Sequence, residues 1–229
     1  MLVFILCLVS AVGGQTDPPP KTCCISRQFE AKLGETGGAI YTSYGVEVPA
    51  LLDSDNVMHY DYYNRTIVME VNTHNPDNTT TYTRIIQDYN TGIQHVFGSG
   101  MCTTSTIRRG FREPCIPDNA TFVGSSYIGY GVNKITFNNW QFQEPDTSND
   151  LRLVVTSVGC VPVLEAVFGI VNNAPSELVF VFNNFSPGIR TPDLFVLPSL
   201  CTGAADTVRN EDHPPHIQRA IMAMDGWVS

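Results

Sequence analysis

Six cysteines are the residues of this chain whose chemistry follows most directly from their number and spacing. The seventh, Cys7, falls in an apolar leader, and the six are Cys23, Cys24, Cys102, Cys115, Cys160 and Cys201. An even number of well-separated cysteines is typical of a secreted chain with a disulfide framework, here of three bonds. Zinc binding is disfavoured, because it would need clustered spacings such as Cys-x-x-Cys. Adjacent cysteines rarely bridge each other, since the small ring strains the peptide bond, so Cys23 and Cys24 should reach separate, distant partners.

Motifs for catalysis are missing from the sequence. It contains no Gly-x-Ser-x-Gly elbow, no His-Glu-x-x-His zinc motif, no phosphate-binding loop and no dinucleotide fingerprint. His213 and His216 could share a metal with Asp212, but two surface histidines at a Pro-Pro helix entry are the favoured interpretation. The sequence therefore predicts no enzyme activity, no catalytic residues and no required cofactor.

Calcium is the one metal that the acidic composition leaves open. The stretch from Asp53 to Asn56 begins like an oxygen-rich loop. An EF-hand would need glycine where Met58 stands and glutamate where Asn64 stands, so that motif is excluded. Irregular sites made of carboxylates and carbonyls leave no readable spacing, and the metal ligands therefore stay unknown.

Composition and the two ends point to a secreted protein with a substantial core. The 229 residues carry a net charge of −9, with 15% charged and 43% hydrophobic residues, which argues against a nucleic-acid partner. Residues 2–12 form an apolar run of signal-peptide length that is too short to span a bilayer. We predict a signal peptide over 1–14 and one β domain over 15–229.

Four Asn-x-Ser/Thr motifs support the same extracellular compartment. The predicted glycan acceptors are Asn64, Asn78, Asn119 and Asn184, of which Asn184 is weakened by the following Pro187. The chain is thus expected to be an extracellular glycoprotein.

Hydrophobic alternation of period two dominates the chain and predicts an antiparallel β fold. The predicted strands are 28–33, 57–63, 66–71, 81–88, 93–97, 134–142, 151–158, 164–171 and 177–182. Near the C-terminus, Ile217, Ile221 and Met224 follow Pro214 and Pro215 at helical spacing, which predicts a short helix.

Two of the predicted strands are apolar on both faces, at 163–171 and 178–182. A sheet normally alternates core with solvent, so both sides of these strands must be covered. A second sheet plus a helix, a partner subunit, or a ligand could each provide the cover.

Several motifs together resemble the ependymin-related proteins in order and spacing over nearly the whole mature chain. The motifs are HYDYYNRTIVMEV (59–71), YTRIIQDYNTGIQHVF (82–97), IPDNATF (116–122), YIGYG and ITFNNW (within 127–140), GCVPVLEAVF (159–168) and PDLFVLPSLC (192–201). The most specific are Cys-x-Pro-Val at 160–163 and the Pro-x-x-Phe-x-x-Pro-x-x-Cys spacing that ends at Cys201.

The resemblance implies a mainly β fold in which two stacked antiparallel sheets form a half-barrel around an apolar pocket, similar to bacterial lipoprotein carriers, with a short C-terminal helix. It implies a secreted protein that binds hydrophobic, lipid-like ligands, with a link to calcium, and forms a homodimer. The alternative is a matrix or cell-adhesion glycoprotein that acts through glycans, its acidic surface and dimer contacts. On this basis the expected pocket residues are Phe137, Trp140, Phe168, Ile170, Phe180, Phe182 and Phe195.

The resemblance also implies a disulfide pairing. By analogy Cys102 pairs with Cys201 and the N-terminal cysteine pairs with Cys160. The spacing from Cys23 to Phe29 matches that of the family's N-terminal cysteine better than the spacing from Cys24 does. This leaves Cys24 to pair with Cys115. The chain departs from vertebrate members, which carry a cysteine near the start of strand 81–88 and another beyond position 201. From the residues alone, all fifteen pairings of six cysteines stay open.

Overall fold

The computed structural model describes residues 18–43, 46–74, 77–107, 110–143, 149–171, 174–202, 206–209, 213 and 215–226. These residues form twelve strands and one α-helix. The strands are β1 Gln28–Ser43, β2 Val46–Asp61, β3 Thr66–His74, β4 Thr80–Asp88, β5 Ile93–Gly98, β6 Met101–Thr106, β7 Thr121–Ile128, β8 Ile135–Gln143, β9 Asp150–Thr156, β10 Pro162–Val171, β11 Ala174–Pro187 and β12 Asp206–Thr207, and the helix, α1, is Pro215–Gly226. The predicted signal peptide lies outside the described residues.

All twelve strands belong to one open sheet. Its order is β12-β6-β5-β4-β3-β2-β1-β11-β10-β9-β8-β7, and neighbouring strands are antiparallel except β12 and β6. The predicted mainly β class and the short C-terminal helix are confirmed. Instead of two separate sheets, the structure has one, because β1 pairs with β2 along one side and with β11 along the other.

Each predicted strand overlaps a strand of the structure, but β6, β7 and β12 were missed and β1 is much longer than predicted. β6 is rich in threonine, and β7 is mostly exposed, so neither shows the alternation of a half-buried strand. The part of β1 beyond the predicted strand 28–33 contains three glycines, which weaken strand propensity. Position 37 requires glycine, because a Cβ there would lie 2.2 Å from the carbonyl oxygen of Glu177.

The helix face of the sheet, defined as the side on which α1 packs, carries most of the core. The register places Phe29, Met58, Met69 and Ile85 on this side, and all four are buried. Phe29 stacks on Tyr60 with ring centroids 5.2 Å apart. Residues 110–120 close over this face, since Tyr60 stacks on Phe111 and its hydroxyl donates to the carbonyl of Arg112 at 2.7 Å.

Helix α1 presents an apolar stripe to the sheet. Ile217, Ala220, Ile221 and Met224 recur at three- and four-residue spacing and are buried, as expected of an amphipathic helix. The helix contacts β2 and β3.

A buried ion pair joins α1 to the central strand. Arg219 Nε donates to Glu35 Oε1 at 2.7 Å, and both side chains are almost completely buried. Ser54 donates to the other carboxylate oxygen of Glu35, and Asn56 Nδ2 donates to Ser54 Oγ at 3.0 Å. The partners satisfy one another, which a buried charge requires.

Three disulfides connect distant parts of the chain. They join Cys23 to Cys160, Cys24 to Cys115, and Cys102 to Cys201, across 137, 91 and 99 residues. These are the same pairs that the resemblance implies. Closing loops of this length removes chain entropy from the unfolded state, worth roughly 4–5 kcal/mol per bond in the simplest model.

We expect Arg219→Ala to lower the free energy of unfolding by about 3–5 kcal/mol, because it leaves the Glu35 carboxylate buried without its cation. Chemical denaturation followed by circular dichroism measures this. The matched control is Arg27→Ala, which removes an exposed pair with Glu113 and should leave stability nearly unchanged. Equal effects of the two substitutions would contradict the structural role of the buried pair.

Candidate functional site

An open groove of about 810 Å³ lies on the side of the sheet opposite the helix face. Strands β1, β10 and β11 form its floor at the end where the β1–β2 and β10–β11 hairpins turn. The register brings Thr36 beside Val179, and Gly38 beside Glu177, with Phe168 next to Glu177 on β10. The remaining lining residues are Gly37, Ala39, Ile40, Pro49, Gly169, Pro175 and Ser176.

The groove has an apolar floor and two charges of opposite sign at its border. Phe168 and Val179 provide apolar surface, and Gly38, on the groove side of β1, adds no side chain that would fill the space. Glu177 supplies a carboxylate, and the guanidinium of Arg152 lies 5.5 Å from the Phe168 ring centroid. Such a surface can hold an elongated apolar molecule and pair its anionic end with Arg152.

The predicted pocket residues divide between the two sides of the sheet. Phe180, Phe182 and Trp140 are buried in the core, and Trp140 packs against Phe122 with centroids 5.4 Å apart. Phe168 lines the groove, and Ile170, two residues along the same strand, is 57% exposed. The alternation of β11 explains this, since Phe180 and Phe182 face the helix side while Val179 and Val181 face the groove side.

Two further predicted residues lie away from the groove. Phe137 is half-buried on β8. Phe195 packs edge-on against His59, with centroids 6.4 Å apart, and borders a second groove of about 500 Å³ with His95 and Asp88. The structure thus does not gather the seven residues around one cavity, and their contact with ligand stays a prediction. No sequence signal identified Thr36, Pro175 or Glu177, because strand pairing alone brings them together.

A cluster around His59 anchors the segment that carries Phe195. His59 is buried between two carboxylates, with Nδ1 3.3 Å from Glu30 and Nε2 3.4 Å from Glu70. Glu30 Oε1 accepts hydrogen bonds from the backbone N–H groups of Arg190 and Thr191 and from the Thr191 hydroxyl. Partial burial raises the pKa of Glu30, but these hydrogen bonds, with His59, outweigh it and lower the pKa to about 2.

The acidic stretch considered for calcium is part of β2. Asp53 and Asp55 are exposed, whereas Ser54 and Asn56 point to the buried helix face, so the four side chains do not converge. Asp55 Oδ2 lies 3.2 Å from His74 Nε2. Within the described residues, the groups with metal-like spacing are His95, Cys102 and Cys201, and Cys24, Glu113 and Cys115. Both groups contain a disulfide, whose sulfurs are not thiolates and do not serve as the expected ligands.

The four predicted glycan acceptors are accessible. Asn64, Asn78, Asn119 and Asn184 are all exposed. Asn64 donates through Nδ2 to Asp61 Oδ2 at 2.7 Å, in the turn between β2 and β3. No helix among the described residues has the length and apolar character needed to cross a membrane.

Comparison with known proteins gives a family match and distant relatives. The family model described as Ependymin matches residues 77–201, more than half of the chain. Ependymin-related protein 2 of Haliotis asinina is 27% identical over 130 residues, covering 52% of this chain and 64% of that protein. Ependymin-related protein 1 of the same organism is 23% identical over 199 residues, covering 83% and 95%.

Similarity to solved structures is weaker. An uncharacterised conserved protein from Thermus thermophilus is 10% identical, with a TM-score of 0.45 over 80% of this chain and 91% of the other. A LolA superfamily protein from Nitrosomonas europaea is 7% identical, with a TM-score of 0.34 over 75% and 91%.

We expect the Glu30 carboxyl to titrate near pH 2, well below the ordinary glutamate value. Because the folded-state pKa is lowered, the stabilisation is complete above the unfolded value, about 4.3, and is lost as the pH falls through about 2. A carboxyl ¹³C NMR titration measures the midpoint, and amide exchange of Thr191 should rise over the same pH range. A midpoint at the ordinary glutamate pKa would show that the cluster around His59 does not anchor the segment that carries Phe195.

Proposed function

Because the chain belongs to the ependymin family, we propose that it is a secreted protein that binds an elongated, lipid-like molecule in the groove beside Phe168. The observation that carries the proposal is the groove itself. Its volume of about 810 Å³ lies within the usual range of small-molecule sites, about 300–1,000 Å³. The apolar floor would provide affinity for the ligand, and the few charged side chains would fix the ligand's orientation.

Secretion is supported by the disulfides and the exposed glycan acceptors. The structure contains three disulfides. Disulfides persist in oxidising compartments, whereas the thiol systems of the cytosol keep cysteines reduced. The apolar leader and the four accessible acceptor asparagines agree with passage through the secretory pathway. These features support an extracellular location for the proposed binding.

An acyl chain suits the groove energetically. Each buried methylene contributes about 0.8 kcal/mol, so ten of them contribute roughly 8 kcal/mol before the cost of immobilisation. The open groove covers only part of such a chain, which favours micromolar rather than nanomolar affinity. Arg152 would pair with the carboxylate or phosphate of such a ligand. Glu177, which lies opposite Phe168 on β11, would repel an anionic group placed beside it.

We expect Val179→Glu to weaken binding of a fluorescent fatty acid such as cis-parinaric acid by about tenfold or more, because it places a charge on the apolar floor. Fluorescence titration of the refolded, lipid-extracted protein measures the change. Val181→Glu is the matched control, since Val181 lies two residues along the same strand and face but does not line the groove. If both variants bind like the unsubstituted protein, the groove is not the ligand site.

Glycosylation provides a separate test of secretion. We expect protein secreted from animal cells to lose mass on treatment with peptide N-glycosidase, and Asn64→Gln, Asn78→Gln and Asn119→Gln each to remove one glycan by intact mass spectrometry. Asn184→Gln should remove the least glycan mass of the four substitutions, because Pro187 follows its sequon and weakens it as an acceptor. Secreted protein without any glycan would contradict the predicted acceptors.

A further inference from the structure

The β7–β8 hairpin ends in an exposed apolar tip, here defined as residues 127–135. Five large apolar or aromatic side chains of this tip are more than half exposed. They are Tyr127 at 59%, Ile128 at 65%, Tyr130 at 84%, Val132 at 100% and Ile135 at 54%. Hydrophobic side chains in such number at one projecting end mark an interaction site.

The tip extends beyond the last residue pair between β8 and β9. Phe137 is the last residue of β8 in this direction to pair with β9, opposite Thr156. Beyond it, Tyr127 pairs with Thr136 and Ile128 pairs with Ile135 in a two-stranded ribbon. Facing residues share a side, so Tyr127 lies on one side of the ribbon and Ile128 and Ile135 lie on the other. Apolar side chains are therefore exposed on both sides and at the apex.

The backbone of the tip is well defined. Gly129 has a φ of 89°, and a Cβ there would lie 2.4 Å from the carbonyl oxygen of Asn133, so only glycine fits the turn. Asn133 N–H donates to the Tyr130 carbonyl at 3.1 Å. The nearby turn after β9 adds Val158, which is 85% exposed, and Ser157 N–H donates to the Thr136 carbonyl at 2.9 Å.

Charge distinguishes the hairpin from the rest of the protein. The chain has 22 acidic residues and a net charge of −9, yet no aspartate or glutamate occurs from 119 to 143. Lys134 is the one charged residue in that stretch, and its Nζ lies 3.7 Å from the Tyr127 ring centroid. Lysine can keep its ammonium in water while its carbon stem covers apolar surface.

From this geometry we propose that the hairpin tip inserts into the headgroup region of a zwitterionic lipid bilayer. Tyrosine suits that region because its ring is apolar and its hydroxyl is polar, and the aliphatic residues at the apex would reach the acyl boundary. Anionic bilayers are less suitable partners, since the net charge of −9 repels them.

A bilayer fits the tip better than a second protein does. A stable protein interface buries about 800 Å² on each partner and involves roughly 20–30 residues a side. The tip has nine residues, less than half of that number. Its apolar side chains lie on both sides of the ribbon and at the apex, whereas a protein partner would cover one side. A fluid lipid surface can surround it from all directions. The proposal uses no property of the groove and stands independently of it.

Flotation with phosphatidylcholine vesicles tests the proposal. The full mature protein should float with the vesicles, and the double variant Tyr130→Asp/Val132→Asp should show partitioning weaker by about tenfold or more, because insertion would then carry two carboxylates into the headgroup region. Val46→Asp is the control, since Val46 is exposed at the opposite end of the sheet, in a hairpin that already carries Glu47. Circular dichroism checks that the variants fold.

A single substitution reports the insertion directly. Val132→Trp should show a blue shift of its fluorescence when phosphatidylcholine vesicles are added, whereas Val46→Trp should not. The proposal is overturned if the unsubstituted protein does not float, or if Tyr130→Asp/Val132→Asp floats equally well. It is also overturned if light scattering shows that this double variant dissociates a dimer while vesicle binding is unchanged, because the tip would then be a protein contact.

Discussion

Strand β1 is the element on which the rest of the structure depends, because it pairs along both of its sides. Its register with β2 runs without interruption from Gln28 to Ser43, and its register with β11 runs from Phe29 to Ala39 with one irregularity between Glu30 and Lys32. The pairing joins the strands β2–β6 to the strands β7–β11 and makes one sheet from two halves. The close approach at Gly37 allows β11 to lie against it.

The pleat of β1 then separates two environments. Phe29, Leu33 and Glu35 point to the helix face, where α1 and the segment 110–120 exclude water. Glu35 is tolerated there because Arg219 and Ser54 satisfy its carboxylate. Thr36 and Gly38 point to the other side and contribute to the groove. One strand thus anchors the core and forms part of the candidate ligand site.

The groove and the hairpin tip lie at opposite ends of the strands. β10 starts after the turn that neighbours the tip and reaches the groove at Phe168. A protein resting on a bilayer through the tip would keep the groove open to solvent. The disulfides Cys23–Cys160 and Cys24–Cys115 hold the N-terminal segment near the start of β10 and near residues 110–120.

The strand-rich class, the amphipathic helix and the disulfide chemistry can be read from the sequence, because they depend on local periodicity and on residue type. Nine strands followed from alternation at places such as 66–71, and the helix followed from Ile217, Ile221 and Met224. Which side of β11 is core depends on the folded molecule, because Phe180 and Val179 are both apolar and their burial is set by what packs on each side. The groove likewise arises from residues of β1, β10 and β11 that strand pairing brings together, and pairing register is a property of the folded sheet rather than of any one segment.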